Sequence, residues 1–282
     1  MTMIKPHVQG CTGFVSERGS RAGLYDIWAS RYLILQLIVR DLVVRYRQTW
    51  LGWAWAVINP ACYLAMYYAV FGLLVRLNTS DYNTPYALVL LCGLILWMLF
   101  ASTVNIVSES LLNNLHLIKK VYFPRIVLTL ASTGICIMDF MVALVLLGIA
   151  LPLCGLPWSP FQIPVLLYCG GLTVLCGWGV GCIFAVVRMK FRDIRHIIPL
   201  VMLGGFYATP VAWTSGTLPA RWQWLPDLNP VAGSIKLFRH ILLNGPQPSL
   251  LSMAIMLTGC VLIGMIGYYC FMFYESRVTD QE

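Results

Sequence analysis

The chain has 282 residues, of which 11% are charged and 59% hydrophobic, and its formal net charge is +8. Soluble domains hold about 25% charged residues, so a disordered chain, a disulfide scaffold and an ordinary water-soluble enzyme are excluded. In so apolar a chain the 19 basic residues serve to orient it in a bilayer, and nucleic acid is not an expected partner.

Residues 1–23 contain Lys5, Arg18 and Arg21 but no apolar run, so no cleavable signal peptide is expected, and they form an unassigned extension. Residues 24–47 read as an amphipathic helix. Leu24, Trp28, Leu35, Ile38, Val39 and Leu42 share one side, and Asp26, Arg40, Asp41 and Arg47 the other, with Leu33 and Leu37 interrupting the polar face. Its expected place is the headgroup layer, either as a non-specific anchor or as a docking surface for a cytoplasmic partner.

A span needs about 20 apolar residues, because ~30 Å of hydrocarbon is crossed at ~1.5 Å per residue. Within residues 48–274, six segments meet or approach that length: 51–75, 86–108, 126–151, 161–187, 197–213 and 250–274. The fifth is short and holds Pro199, Gly204, Gly205 and Pro210, which predicts a bent or broken helix. Residues 214–247 are too apolar for a plain loop and too interrupted for a span, which predicts a re-entrant or interface-lying helical pair. Nothing reads as a sheet. The expected fold is an all-α integral membrane protein with six transmembrane helices, the N-terminal interface helix, the short helical pair before the last span, and a tail at 275–282.

The termini and the second–third and fourth–fifth connections hold all the basic residues except Arg76, Arg221, Lys236 and Arg239. The positive-inside rule then places both termini in the cytoplasm. The 10 cysteines form no Cys-x-x-Cys and read as small buried hydrophobes. His7, His116, His196 and His240 do not cluster, so no metal site is expected. No lysine follows a glycine as a phosphate loop requires, and there is no His-Glu-x-x-His helix, nucleophile elbow or close carboxylate pair. No catalytic residue or cofactor is therefore expected on this chain. Asp139 sits near the middle of a span and Glu109 at a cytoplasmic end. A carboxylate at membrane depth needs water or a partner, so Asp139 faces either a wet cavity or a neighbouring helix.

Several stretches, taken in order, resemble a known family. Residues 44–55 read VRYRQTWLGWAW and lead to Asn59 and Pro60. FRDI follows at 191–194, then Thr209-Pro210-Val211, Leu218-Pro219, the LNPV of 228–231 and Phe238-Arg239. This order is similar to that of the permease subunits of ABC exporters that move lipid-linked polysaccharides, namely O antigens, capsules and teichoic acids. The likeness covers about residues 24–274. It implies a homodimer around a central channel, two separate cytoplasmic ATP-binding subunits that carry ATP and Mg, and an undecaprenyl-diphosphate-linked polysaccharide as cargo, O antigen first.

Residue roles follow from that resemblance. Residues 114–125 resemble the coupling helix, with Leu117, Lys119, Lys120, Tyr122, Phe123 and Arg125 facing the ATP-binding subunit. Arg188, Lys190 and Arg192 meet either the carrier diphosphate or plain anionic headgroups. Tyr63, Tyr67, Phe71, Trp97, Phe100, Phe206 and Tyr207 are the aromatic candidates for a sugar channel, because pyranose C–H faces pack on rings without demanding particular hydroxyls. Helix packing or an interfacial belt is the other use of such a stripe. Residues 214–247 resemble gate helices at the outer mouth, where Trp222 and Trp224 sit and Arg239 either locks the closure or steers an anionic headgroup. Gly177 and Gly181 read as a helix-packing pair. The competing functions are an ABC permease for teichoic acid, capsule or a smaller lipid or drug, and a polytopic membrane glycosyltransferase or acyltransferase.

Overall fold

The computed structural model describes residues 24–47, 50, 52–77, 81–120, 123–156, 159–191 and 193–279. The expectations for residues 1–23, Tyr122 and Arg192 fall outside them. Among the described residues the chain is helical and has no strand.

The helices are α1 (Leu24–Ala29), α2 (Arg31–Arg47), α3 (Trp55–Tyr67), α4 (Tyr86–Asn113), α5 (Leu115–Ile118), α6 (Ile126–Leu153), α7 (Ile163–Lys190), α8 (Ile194–Ala208), α9 (Pro230–Leu243) and α10 (Leu250–Thr279). A π-helical turn, Tyr68–Leu74, continues α3 and closes with Val75 N–H donating to Val70 O at 2.9 Å. Trp55–Leu74, α4, α6, the α7 segment Pro160–Lys190 and the α10 segment Leu250–Glu275 are long and apolar enough to cross a membrane, so the chain is an integral membrane protein.

The fifth expected span differs. Helix α8 has 15 residues and runs unbroken through Pro199 and its glycine pair. It stops because Pro210 cannot extend the ladder and forces Thr209 out of helical geometry, at ψ 140°. Five described helices reach spanning length, and α8 falls short of the ~20 residues required.

The expected helical pair at 214–247 is one helix preceded by three 3₁₀ turns, Ser215–Thr217, Ala220–Trp222 and Leu225–Leu228. Pro219 and Pro226 remove backbone donors that a longer helix would need. The Asn229 side chain caps α9, accepting from Val231 N–H at 3.0 Å, and Pro230 occupies the first turn. Helix α9 ends at Asn244, whose φ of 50° takes the chain out of the helix.

At the centre stands α4, with α6, α7 and α9 packed around it. Helix α7 presents glycine to two neighbours. A Cβ at Gly177 would lie 3.1 Å from Phe100 O, and one at Gly181 2.7 Å from Val107 Cβ, both on α4. The intervening Gly179 meets α10, where a Cβ at Gly267 would fall on the Gly179 carbonyl. These contacts are the close helix approach expected of small residues in a bilayer.

The chain breaks between α1 and α2 at Ser30, and α2 lies against α6. Leu37 is buried, and Leu33, Ile34 and Ile38 pack beside it in a second apolar cluster with Leu111, Ile126 and Val127. Trp28, Leu35 and Val39 remain exposed. The leucines that interrupted the polar face are thus on the protein-facing side together with Ile38, while Trp28, Leu35 and Val39 of the expected apolar face point outward. Cys92, Cys136, Cys169, Cys176, Cys182 and Cys260 are buried as expected, whereas Cys62, Cys154 and Cys270 are exposed because they lie on outward helix faces or a helix end.

Candidate functional site

Three helices converge on one aromatic cluster. On α3 and its π continuation, Tyr63, Tyr67 and Phe71 stack with centroids 6.4 Å and 6.2 Å apart. Helix α8 adds Phe206 at 4.5 Å from Tyr67 and Tyr207 at 6.5 Å from Phe71. From α4, Trp97 lies 6.1 Å from Phe206 and 5.4 Å from Phe100. Gly205 makes the approach possible, since a Cβ there would lie 2.8 Å from the Trp97 ring. All seven expected residues are therefore in ring contact. Trp97, Phe100 and Phe206 are buried and fix the cluster from behind, while Tyr63 and Tyr207 are about half exposed at 45% and 54%. The result is an aromatic surface on a rigid backing, held by edge and offset contacts.

Beside it lies Arg239, 1% exposed. Its Nε donates to Val89 O at 3.0 Å, one Nη to Pro210 O at 2.8 Å and Trp213 O at 3.4 Å, and the other to Val211 O at 2.5 Å. This fork ties α9 to α4 and to the non-helical chain after α8. Of the two roles expected for Arg239, its burial leaves no face for a lipid headgroup. The site needs Gly93 too, because a Cβ there would lie 2.6 Å from both Arg239 Nη2 and Val211 O.

Residues that the sequence reading missed complete this end. Tyr82 is buried against Arg239, and burial pushes its phenol above the ordinary value while the guanidinium pulls the other way. The Tyr86 hydroxyl donates to Ala212 O at 2.8 Å, Thr214 donates to Asp81 at 3.0 Å, and Asn229 Nδ2 donates to Thr209 Oγ1 at 2.8 Å. Lys236 pairs with Asp227 at 2.5 Å. Trp222 and Trp224 project outward from the 3₁₀ turns, and Trp224 Nε1 donates to Arg221 O at 2.9 Å. They rim the structure that the Arg239 hydrogen bonds tie together and do not join its core.

Further ionic contacts lie away from Arg239. Asp139 pairs with Arg45 of α2 at 2.9 Å beside a cleft of about 320 Å³. The two expected settings of this carboxylate, a cavity and a neighbouring helix, are both present. Glu109 pairs with Arg188 at 3.0 Å, and Arg188 also donates to Ser108 Oγ at 3.2 Å. With 11% of its side chain exposed, Arg188 is a tie between α7 and α4, contrary to the headgroup role expected of it. Lys190 is exposed, its ammonium 5.3 Å from the centre of the Phe191 ring.

The coupling segment is also partly rearranged. Leu117, Ile118 and Phe123 turn inward onto the cluster shared with α2, so they are not the exposed contact patch expected of them. Lys119 and Lys120 of the expected set are exposed, as is His116. Two bonds hold the segment in place. Arg40 donates to Asn114 Oδ1 at 2.7 Å, and Arg125 N–H donates to Glu275 Oε1 at 2.8 Å.

Comparison with known proteins supports a single family. Residues 32–243 match the family model described as ABC-2 type transporter. Over 219 residues the chain is 29% identical to an O-antigen export system permease protein RfbA of Klebsiella pneumoniae, covering 76% of this chain and 81% of that one. It is 26% identical to the RfbA protein of Myxococcus xanthus over 195 residues, 68% of this chain and 72% of the relative. The polysialic acid transport protein KpsM of Escherichia coli is 22% identical over 210 residues, 74% and 80% of the two chains. The matched region contains residues 32–47 of α2, the aromatic cluster, the Arg45–Asp139 and Arg188–Glu109 pairs and Arg239, and the chain belongs to the ABC-2 type transporter family.

Proposed function

We propose that this chain is the permease subunit of an ATP-driven exporter that moves undecaprenyl-linked polysaccharide, O antigen first, from cytoplasm to periplasm. Two copies enclose the channel, and each works with a separate cytoplasmic ATP-binding subunit that holds ATP and Mg. With α8 and the apolar residues 209–213 together serving as the sixth crossing, both termini, α5 and the Arg188 end face the cytoplasm and α9 the periplasm, an orientation that the distribution of basic residues supports.

The observation that carries this reading is the seven-ring cluster of α3, α4 and α8, in a chain whose relatives are named for O-antigen export. A polymer passes over such a surface by exchanging one ring contact for the next, without a fixed set of hydrogen bonds to break. Helix α3 supports the two-fold arrangement, since Tyr63, Met66, Val70 and Leu73 leave an apolar face on the single chain. A second copy covers such a face economically. A capsular polymer is the second reading, favoured by the likeness to the polysialic acid transporter.

The test is reconstitution of the chain with its ATP-binding subunit in vesicles, reading polymer delivery and polymer-stimulated ATP hydrolysis. Replacing Tyr67 and Phe71 together with Ala is expected to cut delivery by about tenfold, from two lost stacking contacts. Basal hydrolysis and two-fold assembly stay unchanged. Delivery at the wild-type rate by the double variant overturns the channel role.

A further inference from the structure

Positive charge is missing from the long apolar stretches of this chain. No Lys or Arg falls within Trp55–Leu74, α4, α6, residues 160–187 of the α7 segment or Leu250–Glu275. Helix α8 has none after Arg195. Three bases that reach the spans from outside are engaged there. Arg45 meets Asp139 at 2.9 Å, and Arg188 meets Glu109 at 3.0 Å. Arg239 is 1% exposed and gives its N–H groups to the carbonyls of Val89, Pro210, Val211 and Trp213.

The aromatic surface is uncharged as well. Tyr63 and Tyr207 are exposed, and exposed Leu200 and Leu203 continue the open face of α8 two turns and one turn before Tyr207. An aromatic ring turns the negative part of its quadrupole outward from its face, which repels an anion lying over it. A phenol hydroxyl can donate to a sugar hydroxyl, but it brings no charge. In a two-fold pair the second copy supplies the same side chains, so the conduit repeats this pattern on its other wall.

These features bear on the chemistry of the cargo. An uncharged sugar offers C–H faces to the rings and hydroxyls to the phenols and to water. A polymer with a carboxylate or phosphate on each repeat needs a cation or bulk water at every step, because an ionised group at membrane depth is costly without one. The carrier's diphosphate meets that cost once per chain, whereas a polyanion meets it at each repeat. On the basis of the export role proposed above, we infer that this conduit passes uncharged polysaccharides and discriminates against polymers that are anionic in every repeat.

The test compares two cargoes of equal length on the full chain reconstituted in vesicles with its ATP-binding subunit. One is an undecaprenyl-diphosphate-linked homopolymer of an uncharged hexose. The other is the same preparation with its C6 primary alcohols oxidised to carboxylates. ATP-driven delivery of the uncharged polymer is expected to exceed that of the oxidised one by about tenfold, the effect of a charge that the surface leaves uncompensated. Methyl esterification of the carboxylates should restore delivery, since it removes charge while adding bulk. Tyr207→Lys should narrow the gap by about threefold, the worth of one exposed ion pair. Tyr207→Gln removes the ring without adding charge, so it should slow both polymers and leave their ratio in place. Equal delivery of the two wild-type cargoes, or faster delivery of the oxidised one, overturns the assignment. So does a methyl ester that stays excluded, because size and not charge is then being read. Delivery of neither polymer overturns the export role itself, and the charge selection falls with it.

Discussion

Arg239 directs its guanidinium to backbone carbonyls on two separate parts of the chain, Val89 on α4 and residues 210–213 after α8. A planar fork suits this task, because its donors diverge in fixed directions, whereas a lysine ammonium is a compact point charge on a flexible stem. Removing the fork leaves several buried carbonyls without donors, at about 1–3 kcal/mol each. Arg239→Lys and Arg239→Ala are therefore both expected to lose about 3 kcal/mol, on the order of 10 °C in Tm, by thermal unfolding of the detergent-solubilised protein. A lysine variant as stable as the wild type would show that charge alone matters there. The Phe238-Arg239 pair was legible in the sequence as part of a motif. Its partners were not, because a backbone carbonyl has no residue signature. The Arg45–Asp139 pair was hidden for a related reason: the carboxylate announced that it needed company, but the N-terminal helix offers several bases and nothing local says which one arrives.

At the scale of elements, helix contacts are set by where side chains are missing. Gly179 and Gly267 let α7 and α10 touch backbone to backbone, while Gly171, on the same α7, would place a Cβ in open space. Gly267→Ala is expected to cost about 1–3 kcal/mol through forced separation of the two helices. Gly171→Ala should be neutral or gain up to about 1 kcal/mol from helix propensity. Equal thermal shifts for the two variants would remove the packing argument. Long apolar runs made α4, α6, α7 and α10 readable from the sequence, because the bilayer demands a minimum length of any span. The same criterion misled at α8, where composition continued to Trp213 but Pro210 ended the helix. At α2 periodicity failed for a different reason. Protein packs on the Leu33 and Leu37 side while the Trp28, Leu35 and Val39 side stays outward, so the helix has two apolar faces and no single direction to point.

For the molecule as a whole, the segment proposed to meet the ATP-binding subunit is the junction of α2, α4, α6 and α10. Arg40 joins α2 to Asn114, the Arg125 N–H joins the start of α6 to Glu275 on α10, and Phe123 is packed among the residues between them. A push on the loop thus reaches the interface helix and the last span together. Among the described residues of the loop His116, Lys119 and Lys120 are exposed, so the basic part of the expected set lies outward while Leu117 and Phe123 pack inward. Electrostatic contacts of this kind govern association and its salt dependence. Lys119→Glu with Lys120→Glu is expected to weaken capture of the ATP-binding subunit by about tenfold in a pull-down at low salt, with the gap to wild type closing as salt rises. Phe123→Ala should behave differently, lowering Tm through a cavity while the surviving folded protein still binds its partner. If the charge-reversed loop captures the subunit normally and Phe123→Ala does not, the apolar residues carry the contact and must swing outward when the partner docks.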